Sequence, residues 1–272
     1  MTTTIAVGVD GRPEHRAARD WAITRAIRDG SRLELVYVIQ RGWGDVLDEP
    51  DDALALAARR LVESDAAAAD RVEDVSATVR YGHVGTELVA AARDADLLVV
   101  GAHPATERSQ FTGSLAVRVS AGAAGPVAVV PHGWAGRDGG VTVGVDGGLP
   151  SELAVAFAAD EAAALDAPLV VVCAGFTANP LLAGLVPEIG LGDRRERIVQ
   201  KAAEQARERH PSLDVRTRVI EAAPSRGLVE AAAGSALLVV GTHNRHAGGR
   251  FLLGSVSHDV LLNLRLPVVV VR

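Results

Sequence analysis

The sequence predicts two tandem α/β domains, each a doubly wound, Rossmann-like fold on a five-stranded parallel sheet. Three observations carry that reading. The chain repeats itself once, each copy alternates Val-rich runs with Ala-rich stretches, and a glycine-rich join separates the copies.

The repeat is visible in four landmarks that keep their order. Val7-Gly8-Val9-Asp10-Gly11 recurs as Val143-Gly144-Val145-Asp146-Gly147, and Leu98-Val99-Val100-Gly101 recurs as Leu238-Val239-Val240-Gly241. Gly113-Ser114 recurs as Gly254-Ser255, and Pro126-Val127 as Pro267-Val268. The offsets are 136, 140, 141 and 141 residues. A period this long indicates duplicated domains and not a solenoid of short units. The join, residues 131–140, holds four glycines and a proline, the composition of a linker. The domains are therefore expected at 1–132 and 140–272.

In the first copy, Ile5–Asp10 is a short apolar run that suits a buried strand. Residues 14–29 read as a helix with Trp21 in the core, closed by Gly30 as a C-cap glycine. Leu33–Ile39 is the second strand, and residues 51–72 are Ala-rich and helical. Val75–Arg80, Leu97–Val100 and Val127–Val130 are the remaining strands; Thr86–Asp94 and Ser114–Ala123 are the remaining helices. The second copy follows suit, with strands at 141–145, 169–174, 214–220, 236–240 and 268–271. Its helices are expected at 151–165, 193–209, 225–233 and 255–264. Strands apolar along their whole length, alternating with helices, imply a parallel sheet covered on both faces.

Composition narrows the function. Apolar residues are 48%, charged residues 23% and aromatics only 3%, so the core is built from Ala, Val, Leu and Ile. The halves carry 14 basic and 19 acidic, and 14 basic and 15 acidic residues; neither is a basic module for nucleic acid. No uncharged apolar run approaches the roughly 18 residues of a membrane span. The N-terminus lacks a charged signal region, which leaves a cytoplasmic location as the expectation. Cys173 is the single cysteine, reads as an inert buried thiol, and excludes an intrachain disulfide or a Cys-rich zinc site.

In an open α/β sheet, ligands bind beyond the carboxyl ends of the strands. Asp10 and Asp146 end the first strands, and Gly101 and Gly241 end the fourth. The stretch from Gly241 to Ser257 runs from a strand through a Gly-rich loop into a helix at Ser255. Backbone N–H groups, a positive helix end and a hydroxyl suit a phosphate chain. The alternative is that Gly241 and Gly254 make turns and Ser255 caps the helix. The chain has no GxxxxGK[ST] and no GxGxxG after its first strand, so neither a P-loop nor a standard dinucleotide fold is indicated.

These residues resemble the universal stress protein family in its tandem two-domain form, with a fold of the adenine-nucleotide-hydrolase-like kind. ATP-binding members carry Gly-x2-Gly-x9-Gly-[Ser/Thr] after the fourth strand and an Asp after the first. The second half matches with Gly241, Asn244 in place of the second glycine, and Gly254-Ser255 at the same spacing. The resemblance implies ATP, with or without Mg²⁺, held by Asp146, Gly147, Ala174, Gly241, Asn244, Gly254, Ser255, Val256 and Ser257. The first-half equivalents are Asp10, Gly11, Val38, Gly101, Gly113 and Ser114. Pro104, which has no N–H to donate, and a loop one residue shorter make the first half the weaker site. Ala174 offers less apolar surface to an adenine than Val38.

The resemblance implies a stress-response sensor or regulator, with slow hydrolysis at most because no Walker-type lysine is present. It also implies that the two domains pair as a pseudo-dimer through Val127–Val130 and Val268–Val271, with a further homodimer conceivable. The alternative is a family member that binds no nucleotide and serves as a protein-interaction module, favoured by Pro104, Asn244 and Ala174. Other readings have less behind them. A receiver domain needs an acidic pair and a Lys that the chain lacks near the required strands. His243 and His246 lack partners at metal-ligand spacing. Ser255, His258 and Asp259 share only composition with a hydrolase triad.

Overall fold

The computed structural model describes residues 2–12, 15–40, 52–102, 115–175, 191–242, 245–247 and 250–272. The chain divides into two compact units, Met1–Gly136 and Arg137–Arg272.

The first unit runs β1 (Thr4–Val9), α1 (Ala17–Asp29), β2 (Arg32–Gln40), α2 (Asp52–Ala67), β3 (Val75–Gly82), α3 (Val84–Ala91), β4 (Leu97–Ala102), α4 (Leu115–Gly122) and β5 (Val127–Pro131). Its strands lie in the order β3-β2-β1-β4-β5, all parallel. The second runs β6 (Val141–Gly144), α5 (Leu149–Ala164), β7 (Leu169–Ala174), α6 (Leu191–Arg209), β8 (Val215–Ile220), α7 (Pro224–Ala231) and β9 (Leu237–Gly241). It continues with β10 (Arg245–Ala247), β11 (Arg250–Leu252), α8 (Ser255–Leu262) and β12 (Val268–Val271). Its parallel order is β8-β7-β6-β9-β12. The order reverses beside β1 and β6, so the crevice for a ligand opens beyond their carboxyl ends.

Burial explains the Val-rich runs. Val127–Val130 and Val268–Val271 are buried throughout, as expected for strands with both faces covered. Helices cover each sheet in pairs: α3 packs on α4, α5 on α6 and α7 on α8. In β6 the one polar residue, Thr142, is satisfied by Ser235, with hydroxyl oxygens 2.8 Å apart.

Several boundaries and one side chain depart from the sequence reading. Gly30 closes α1 as expected, at φ 63° and ψ 30°. The helix starts at Ala17, however, with Arg16 as its N-cap and the His15 side chain turned to Asp10. Helix α2 ends at Ala67, where Ala68, Ala69 and Val72 donate to carbonyls three residues back and tighten the chain into turns. Trp21 is half-buried and not core: Ala18, Ala22, Ile23 and Ala26 fill the inward stripe. The Arg25 guanidinium stands 5.9 Å from its ring centroid instead. The hairpin β10–β11, paired antiparallel from Arg245↔Leu252 to Ala247↔Arg250, was not expected.

Candidate functional site

After the first strand of each unit the chain makes the same turn. Gly11 and Gly147 adopt φ 72° and 82°, a conformation that glycine takes without steric cost. They let the preceding aspartate fold its carboxylate over the following helix start. Asp146 Oδ1 accepts from Gly148 N at 2.8 Å and from Ser151 Oγ at 2.5 Å. Asp10 Oδ1 accepts from Arg12 N at 3.1 Å, and its Oδ2 accepts from His15 Nδ1. His15 and Ser151 both stand five residues after their aspartate, so one position of the repeat carries the positioning donor in two chemical forms. Sequence reasoning missed both, although the repeat's offset of 136 residues aligns them.

The fourth-strand glycines differ in cause. A Cβ on Gly241 would meet the Pro150 carbonyl oxygen at 2.4 Å, so α5 leaves room only for hydrogen. Gly101 faces nothing closer than Ala18 Cβ at 3.7 Å. Thr242, also missed from sequence, fastens the chain after β9. Its N–H donates to Val271 O at 2.9 Å. Its Oγ1 accepts from Gly254 N at 3.1 Å and lies 3.2 Å from Ser257 Oγ, which also donates to Gly254 O at 3.0 Å.

Gly254, and not Ser255, is the N-cap of α8, at φ −59° and ψ 151° with no side-chain capping bond. The cap reading of Ser255 is thus corrected: its hydroxyl is one residue too far into the helix, and its side chain is exposed. The first helical bond runs from His258 N to Gly254 O. The amides of Ser255, Val256 and Ser257 precede it and lie outside the intrahelical ladder. Ser257 is buried and Val256 half-buried. Asn244, Gly113 and Ser114 lie outside the described residues.

In the first unit, Asp10, Val38 and Gly101 line one cleft of about 140 Å³ together with His15, Leu88 and Leu115. The sites expected from three separate strands therefore meet. His15 also stands edge-on to His132 at the end of β5, with ring centroids 6.1 Å apart. In the second unit, register places Ala174 as the counterpart of Val38, because Gly8 pairs with Val36 and Gly144 with Val172. Ala174 packs close to Gly227. Beyond it, Arg195 Nη1 donates to Gly175 O at 2.5 Å. Cys173 is a buried free thiol whose pKa burial pushes up. Among the described residues no group of three or more His, Cys, Asp or Glu is placed to hold a metal ion, and no helix is long and apolar enough to cross a membrane.

Comparison with known proteins follows the same division. The model of the universal stress protein family matches residues 1–131 and again 140–272. A universal stress protein of Mycobacterium tuberculosis (strain ATCC 25618 / H37Rv) is 30% identical over 288 residues, covering 98% of this chain and 96% of its own. The crystal structure of a universal stress protein from Archaeoglobus fulgidus DSM 4304 superposes with TM-score 0.74 at 14% identity, covering 99% of this chain and 96% of that one. A shorter universal stress protein solved in complex with cAMP is 23% identical, covering 48% of this chain and 98% of its own, with TM-score 0.39.

Proposed function

Because this chain belongs to the universal stress protein family, we propose that it binds an adenine nucleotide, ATP with Mg²⁺, as a stress-response sensor or regulator. The phosphates sit at the start of α8 in the second unit. Asp146 faces the ribose or phosphates, and Ala174 and Gly241 border the pocket. The first-unit cleft at Asp10, Val38 and Gly101 is the weaker equivalent.

The observation that carries this reading is Gly254. Among the described residues nothing in the fold requires a glycine there. Its φ and ψ are open to any residue, and among the described residues an added Cβ would meet only Ser257 Oγ and Thr242 Oγ1, each at 3.6 Å. A bare backbone at a helix start is what a bulky anion needs in order to reach the amides. Gly241 supports nothing of the kind, since Pro150 accounts for it. The named site residues include no lysine, so the reading is of binding and sensing, with hydrolysis slow at most.

Calorimetric titration of Mg·ATP into the full chain tests it, after mass spectrometry has established that no nucleotide co-purifies. One dominant site per chain is expected, lost in Gly254→Trp and retained in Asp10→Ala. Two equal sites would refute the ranking of the units. No binding at all would leave an interaction module in place of a nucleotide sensor.

A further inference from the structure

A cavity of about 210 Å³ lies between α5 and α6 of the second unit. It borders the proposed nucleotide position, sharing Gly147 and Ser151 with the turn that holds Asp146, and extends from there between the two helices. The first unit shows how it arises. Gly11 rests on Leu61 and Gly147 on Ile198, which aligns the two helix pairs. Eight residues beyond each glycine stand Arg19 and Val155; four beyond each contact residue stand Asp65 and Ala202. In the first unit the space is filled by an ion pair, Arg19 Nη1 to Asp65 Oδ1 at 2.5 Å, with side chains 10% and 8% exposed. In the second, Val155 and Ala202 are shorter and apolar, and both line the cavity.

The mouth has changed as well. Arg194, Arg197 and Lys201 border it, where the same alignment gives Ala57, Arg60 and Ser64 in the first unit. Three cations and the acid Glu152 stand where the first unit has two cations, Arg60 and Arg16. Glu152, which also lines the cavity, accepts from Lys201 Nζ at 2.8 Å.

We propose that this cavity binds a short apolar chain ending in a carboxylate, with the tail over Val155, Ile198 and Ala202 and the carboxylate among Arg194, Arg197 and Lys201. The size sets the length. At about 30 Å³ per water-sized group, 210 Å³ holds on the order of seven such groups, which fits a medium-chain acid and not a long-chain lipid. The apolar floor rewards the tail, and the cations distinguish the acid from its alcohol.

The test is calorimetric titration of octanoate into the full chain, with 1-octanol as the uncharged probe. Octanoate is expected to saturate near one per chain and to bind at least tenfold tighter than octanol. The double variant Val155→Arg with Ala202→Asp copies the pair that the first unit accommodates, and is expected to fold and to lose octanoate. Arg197→Gln, at the mouth, is expected to weaken octanoate about tenfold and leave octanol unchanged. Equal affinity for acid and alcohol would overturn the proposal. So would octanoate binding that survives the double variant while Arg197→Gln has no effect, and so would no binding to the unmodified chain.

Discussion

Arg19 and Asp65 show what one pair of residues decides. Both are nearly buried, and Asp20, also paired with Arg19 at 2.7 Å, is largely exposed. Hydrogen bonds and charge from Asp20 and Asp65 outweigh burial and hold the Arg19 guanidinium above its ordinary pKa. Truncating Asp65 alone strands a buried cation, so Asp65→Ala is expected to destabilise the first unit by about 3 kcal/mol, the lower end for a broken buried pair because Asp20 remains. Arg19→Val with Asp65→Ala recreates the second unit's Val155 and Ala202 and is expected to cost well under half of that. Denaturant unfolding of the single and double variants measures both. None of this was legible in the sequence: Arg19 and Asp65 are 46 positions apart, and nothing local says that the two helices bring them together.

At the scale of elements, the strands and the Gly30 cap were legible because their causes are local. An all-apolar run of about five residues and a left-handed glycine need no knowledge of neighbours. The hairpin β10–β11 was not, since strands of three residues carry too little pattern to separate from a loop. Thr242 was illegible for a different reason. Its hydroxyl meets partners 12 and 15 residues away, across a loop whose path the sequence does not state. The first unit places Ala102 and Ala116 at the corresponding positions. Removing one partner leaves polar groups unmatched, whereas removing both does not. Thr242→Val is therefore expected to cost about 1–3 kcal/mol. Thr242→Ala with Ser257→Ala is expected to cost less than the two single changes combined. A double-mutant cycle read by thermal unfolding checks the coupling.

For the whole molecule, the repeat was the most informative single observation, since it implied two copies of one α/β layout before any element was assigned. The copies have since diverged at matching points. The carboxylate after the first strand is held by a histidine in one and a serine in the other. The first helix pair is bridged by ions in one and hollow in the other. The glycine after the fourth strand is demanded by packing in the second unit and merely tolerated in the first. Sequence reasoning proposed the site residues from their positions after the strands but could not say which of the glycines the fold itself required. That distinction depends on what a missing side chain would touch, and it isolates Gly254.

The most direct measurement is thermal unfolding of the unmodified chain and of Gly254→Val, each with and without saturating Mg·ATP. Without nucleotide the two should unfold at the same temperature, or the variant slightly higher, because valine loses less conformational freedom on folding. At 100 times its Kd, nucleotide should stabilise the unmodified chain by about 2.7 kcal/mol, roughly 5–10 °C for a domain of this size, and leave the variant unshifted. A variant that unfolds several degrees lower without nucleotide, yet still gains the full shift, would show that Gly254 serves the fold and not a ligand.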